Sequence, residues 1–78
     1  MHNVTIYTTS TCHFCKLAKE FFQQNSVKYK EINVEDDEKA AEEMIEKSGQ
    51  MGVPVIDIDG KIIVGFDRSA IKKALGIK

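Results

Sequence analysis

Val4-Thr5-Ile6-Tyr7-Thr8 is a run of branched and aromatic residues ending in the polar cluster Thr9-Ser10-Thr11, which predicts a strand over 4–8. From Phe14 the period changes. Phe14, Leu17, Ala18, Phe21 and Phe22 recur at helical spacing and make one apolar stripe, with Thr11 as expected N-cap and Asn25-Ser26 as stop. Residues 27–34 (VKYKEINV) read as a second strand whose alternation breaks at Glu31-Ile32, with Lys28 and Lys30 guarding an edge. Glu35-Asp36-Asp37-Glu38 places four acids where a second helix begins. Either aspartate can cap, and the negative charge suits the positive end of the helix dipole. The acidic run is therefore assigned to helix chemistry. Ala40, Ala41, Met44, Ile45 and Ser48 form the expected inward stripe, closed by Gly49.

Residues 53–58 and 61–65 are two β-branched runs joined by Asp59-Gly60, a dipeptide suited to a two-residue hairpin in which both positions need positive φ. Asp67 can cap a last helix with Ala70, Ile71, Ala74 and Leu75 inward, Lys72 and Lys73 in its last turn and Gly76 beyond. The order is βαβ-α-ββα, an α/β domain. The first two strands are expected to be parallel, the last two antiparallel, in one mixed sheet with helices on its faces.

Composition narrows the functional classes. The chain has 78 residues, 42% of them hydrophobic and 29% charged, which suits a single domain, 1–78. Eleven basic against twelve acidic residues leave a net charge of −1. That balance argues against nucleic acid as a partner, since phosphate neutralisation needs a surplus of Lys and Arg. No apolar run approaches the ~20 residues of a membrane span, and the N-terminal residues lack the zones of a signal peptide. A cytoplasmic monomer with no membrane partner is the expectation.

The only two cysteines, Cys12 and Cys15, lie three residues apart at the strand-to-helix junction. A bond between them closes so short a loop that it constrains the unfolded chain very little, so a stabilising staple is the wrong explanation. The position suits redox chemistry instead. Unsatisfied amides and the helix dipole stabilise a thiolate at Cys12, and Cys15 lies nearly on the same face, further from solvent. The first sulfur can attack a target disulfide and the second can resolve the mixed disulfide. A zinc site wants four ligands, and beyond the cysteines the chain offers only His2 and His13, so no metal site is assigned. No bound cofactor is expected beyond the redox-active Cys12–Cys15 pair itself. His13, if protonated, favours the thiolate and raises the reduction potential. Phe14 reads either as the first residue of the apolar stripe or as an exposed aromatic beside the sulfur.

Several segments together resemble the glutaredoxins, and more narrowly the glutaredoxin-like group that includes the NrdH-redoxins. They are Ile6-Tyr7-Thr8 leading to Cys12-His13-Phe14-Cys15-Lys16-Leu17-Ala18-Lys19, then Gly52-Val53-Pro54-Val55, and Val64-Gly65-Phe66-Asp67. The resemblance implies the thioredoxin fold, a four-stranded mixed sheet flanked by three helices. It implies a cis Pro54 facing the dithiol, with Val53 offering backbone hydrogen bonds to an extended substrate. It also implies that His13, Phe14, Gly65, Phe66 and Asp67 border the substrate, and that the activity is reduction of protein disulfides. The electron donor is then either a flavoprotein of the thioredoxin-reductase type or glutathione.

Departures from the glutathione-using pattern bear on that choice. Thr9 stands where a Lys or Arg is usual, and His13-Phe14 replaces Pro-Tyr. Gly52 replaces Thr, and Val64-Gly65 replaces Gly-Gly. A glutathione carboxylate thus loses a cationic partner and meets a bulkier wall. Gly65-Phe66 is similar to a segment of the NrdH-redoxins, although Asp67-Arg68 is not. The expectation is a protein-disulfide reductant recharged by a flavoprotein reductase. A glutathione-dependent glutaredoxin and a metal or iron–sulfur carrier are the alternatives.

Overall fold

A computed structural model describes residues 2–77. Four strands, β1 (Val4–Thr8), β2 (Lys30–Asn33), β3 (Val55–Ile58) and β4 (Lys61–Val64), form one sheet in the order β2-β1-β3-β4. β1 and β2 are parallel, with Tyr7 opposite Ile32. β3 is antiparallel to both β1 and β4. Helices α1 (His13–Gln24), α2 (Glu38–Ser48) and α3 (Arg68–Leu75) complete the chain. This is the thioredoxin-fold arrangement that the resemblance implies.

Alternation along the strands sorts side chains onto two faces. Val4, Ile6, Ile56, Ile58 and Ile63 meet Ala18, Phe21 and Phe22 of α1 and Ile71 and Leu75 of α3. The opposite face presents Tyr7 and Val55 to Ala40 and Met44 of α2. Ile45, expected inward, is exposed, because the one face α2 turns to the sheet is taken by Ala40 and Met44.

Three of the boundaries that differ from the sequence expectation do so for a plain local reason. β2 starts at Lys30 rather than Val27, because the chain before it is spent on ending α1. There Ser26 adopts φ 57° and the Val27 amide donates to the Phe22 carbonyl at 2.8 Å. β3 starts at Val55 because Pro54 has no amide for the ladder. The N-cap of α1 is Cys12, not Thr11: the Cys15 amide donates to the Cys12 sulfur. The Asp59-Gly60 turn forms as read, with φ 52° and 92°.

Candidate active site

The parallel β1–β2 pair and the antiparallel β3 bring three chain segments to one end of the sheet. β1 ends there at Thr8 and leads into the turn carrying Cys12. β3 begins there, with Val55 opposite Tyr7, directly after Val53-Pro54. β4 ends there, with Val64 opposite Val55. The Val53–Pro54 peptide bond is cis, and the Gly65 amide donates to the Pro54 carbonyl at 2.8 Å. Gly65 has φ 79°, in the region that favours glycine, so this position joins β4 to α3 without a Cβ penalty.

Cys12 and Cys15 are disulfide-bonded, with their Cα atoms 5.2 Å apart. Their environments differ in the way the chemistry requires. Cys15 is 1% exposed, whereas Cys12 is partly open to solvent. The Cys12 amide donates to the Thr9 carbonyl at 3.3 Å, closing the turn that precedes α1. The Cys15 amide, one of the free donors of the first helical turn, points at the Cys12 sulfur from 3.1 Å.

His13 and Phe14 are both exposed and meet edge to face at 5.7 Å. Of the two readings of Phe14, the residue is the exposed aromatic: it is 57% open to solvent, one residue from Cys15. Phe66 is half-buried, turned onto Phe21 at 6.1 Å and packed against the core. Asp67 caps α3 by accepting from the Ala70 amide at 3.1 Å.

Beside Cys12 lies an open groove of about 460 Å³, lined by Ser10, His13, Lys16, Lys19, Glu31 and Asn33 among others. Two of its residues form a fixed pair. Lys19 donates to Glu31 at 2.8 Å, and the buried Thr8 hydroxyl donates to the same carboxylate at 3.0 Å. The Lys19 hydrogen bond, with smaller help from Thr8, holds the Glu31 carboxyl below its ordinary value. Sequence reasoning missed Glu31, although the break in alternation at Glu31-Ile32 was its signal. It also missed Ser10 and Glu35, which are joined by two hydrogen bonds. Met51 went unremarked as well; it is 79% exposed, and Val64, read there only as a bulkier wall, is 47% exposed.

Comparison with known proteins now decides the family. The glutaredoxin family model matches residues 4–63. The chain belongs to the glutaredoxin family. Among its relatives is an uncharacterised glutaredoxin-like 8.6 kDa protein of the rubredoxin operon of Clostridium pasteurianum. It is 47% identical over 72 residues, 92% of this chain and 96% of that one. Glutaredoxin 3 of Escherichia coli K12 is 40% identical over 67 residues, 86% of this chain and 81% of the relative. The solved structure of the glutaredoxin-like NrdH-redoxin of Escherichia coli superposes with a TM-score of 0.82 at 27% identity, covering 91% of this chain and 92% of that one. This glutaredoxin-family protein is a thiol–disulfide oxidoreductase with a Cys12–Cys15 pair. Among the described residues no three His, Cys, Asp or Glu side chains converge on a metal position, and no helix is long and apolar enough to cross a membrane.

Proposed function

We propose that the protein is a carrier of reducing equivalents that reduces protein disulfides by attack of Cys12 and resolution by Cys15. The observation that carries this reading is the Cys15 amide aimed at the Cys12 sulfur. A helix N-terminus lowers a thiol's pKa, so Cys12 is the thiolate at neutral pH and the buried Cys15 waits as thiol. The thiolate attacks one sulfur of a target disulfide and expels the other as thiolate, giving a mixed disulfide through Cys12. The Cys15 sulfur, losing its proton, then attacks Cys12. This releases the target reduced and leaves the Cys12–Cys15 disulfide, a two-electron transfer in which the target gains what the dithiol loses. Val53 and Pro54 form the edge along which an extended substrate docks, and Phe14, His13 and Gly65 border it. Phe66 and Asp67 support that border from behind through Phe21 and the cap of α3. The protein works as a monomer in the reducing cytosol, where such pairs act catalytically rather than as staples.

We further infer that the electron donor is a flavoprotein of the thioredoxin-reductase type rather than glutathione. Glutathione recognition wants free cations or helix amides for its two carboxylates. Here Thr9 supplies no charge, Lys19 is engaged by Glu31, and the Asp67 carboxylate already takes the N-terminus of α3, which leaves Lys16 as the one groove lysine to offset two carboxylates. The NrdH-redoxin of Escherichia coli is described as having a thioredoxin-like activity profile, and this likeness favours the same assignment. A coupled assay of nicotinamide oxidation tests it. Faster turnover with a thioredoxin reductase than with glutathione and glutathione reductase is expected. Efficient turnover with glutathione, and none with several thioredoxin reductases, reverses the assignment.

A further inference from the structure

The acidic run 35–38 does not act as a unit. Asp37 caps α2 by accepting from Ala40, and Glu38 sits in the first turn, as helix chemistry requires. Glu35 does something else. Its carboxylate oxygen Oε1 accepts both the Ser10 amide at 2.7 Å and the Ser10 hydroxyl at 2.8 Å. Ser10 lies two residues before Cys12, in the turn from β1 to α1.

Glu35 is itself held from behind. Its amide donates to the Asn33 side chain at 2.8 Å, the Asp36 amide donates to the Asn33 carbonyl, and the Val34 amide donates to the Thr8 carbonyl. The β2–α2 connection is thus anchored to the end of β1 and reaches across to the dithiol turn. Among the described residues, no other side chain hydrogen-bonds to Thr9, Ser10 or Thr11. Their remaining tie is the long Cys12-to-Thr9 backbone contact. Charge-assisted bonds are about twice as strong as neutral ones, so this pair dominates how the turn is held. The same two bonds, the amide first, keep the Glu35 carboxyl below its ordinary value, so it is ionised at neutral pH.

We propose that Glu35 is a positioning residue of the dithiol, holding through Ser10 the turn that sets the Cys12 sulfur against the Cys15 amide. Loss of the brace lets the turn move and weakens that contact, which raises the pKa of Cys12 and slows its attack. The proposal rests on Cys12 being the attacking thiol. The charged and titratable groups that share a groove with Cys12 are His13, Lys16 and Lys19 from α1 and Glu31 from β2; joined to its turn through Ser10 is Glu35. Only the last changes in the test.

The test compares the full reduced chain with its Glu35→Gln, Glu35→Ala and Ser10→Ala variants. It follows iodoacetamide labelling of each cysteine by peptide mapping across pH, alongside the exchange rate with a small aromatic disulfide. Glutamine keeps an acceptor for Ser10 and removes the charge, whereas alanine removes both. The alanine variant is expected to show a Cys12 midpoint above that of the glutamine variant by about half a unit, about threefold in thiolate at low pH. Ser10→Ala, with the carboxylate intact, shifts the same way by less. Gln and Ala midpoints that equal each other and do not lie above the parent's, with Cys12 still labelled first, overturn the brace alone. Preferential labelling of Cys15 in the unmodified chain overturns the brace together with the role assigned to Cys12. If the alanine variant does not fold, Ser10→Ala decides: a raised midpoint supports the brace and an unchanged one overturns it.

Discussion

The two ends of the sheet are built on opposite plans. At the hairpin end the turn is clasped to the residues that precede β1. Asp59 accepts from the Asn3 amide at 2.7 Å and returns its own amide to the Asn3 carbonyl. His2 meets the same carboxylate, and Gly60 donates to Asp57. At the dithiol end the elements stop short of one another. Cys12 is partly open, Val53 and Pro54 precede the ladder instead of joining it, and Phe14, Met51 and Val64 present apolar surface to water. The core nonetheless reaches the dithiol end, where Tyr7, Cys15, Pro54 and Val55 are buried, so only the outer rim of that end is open.

The largest effect that separates the ends is chemical. Cys12→Ser is expected to abolish disulfide reduction, and Cys15→Ser to accumulate a mixed disulfide through Cys12, seen by non-reducing mass spectrometry. Neither change should move the thermal midpoint of the reduced protein by an amount comparable with a core truncation. Ile58, fully buried near the hairpin, is the counterpart. Ile58→Ala is expected to destabilise by about 2–5 kcal/mol in denaturant titrations while the folded fraction exchanges disulfides at the normal rate.

A smaller effect belongs to the turn. Gly60 sits at φ 92°, so Gly60→Ala is expected to cost about 1 kcal/mol or more through backbone strain. Smaller still in stability are Phe14→Ser and Met51→Ser, each expected within about 0.5 kcal/mol of the parent. Both should raise KM for a protein disulfide severalfold while leaving a small-molecule disulfide unaffected. A matching loss with both substrates would mean that this apolar surface does not select proteins.

The smallest effect is a pH dependence. The Asn3 amide, with His2 second, holds the Asp59 carboxyl below its ordinary value. A depressed carboxyl stabilises the fold above its ordinary value, and the gain disappears as pH falls through the lowered one. Asp59→Asn should therefore be less stable than the parent at neutral pH, the gap closing in strongly acidic solution. A gap that persists there would assign the clasp to geometry rather than charge.

What could be read from the residues follows a physical divide. The strands, three helices, hairpin and the Asp67 cap were legible because each depends on its own segment: Asp59-Gly60 tolerates the positive φ a two-residue hairpin needs, and of the two aspartates open as caps for α2 the structure uses Asp37. The dithiol was legible because two sulfurs three residues apart at a helix start have little other use. The cis bond at Pro54 came through family resemblance, since the residues alone indicated only a turn or strand start. Hidden from such reading were contacts made across the chain. Glu31 meets Lys19 and Thr8 only once β2 lies beside β1, and Glu35 meets Ser10 only once the β2–α2 turn folds over the end of β1. The N-cap was misplaced for a different reason. Thr11 has the usual capping hydroxyl, but the cap is a sulfur, which capping preferences leave out.

The most direct test of the account is to reduce the protein, expose it to substoichiometric iodoacetamide at pH 6 and map the modified cysteine. The open, amide-facing sulfur of Cys12 and the buried one of Cys15 predict carbamidomethylation at Cys12, with Cys15 labelled only after unfolding. Preferential labelling of Cys15 in the folded protein would contradict the assignment of attack to Cys12.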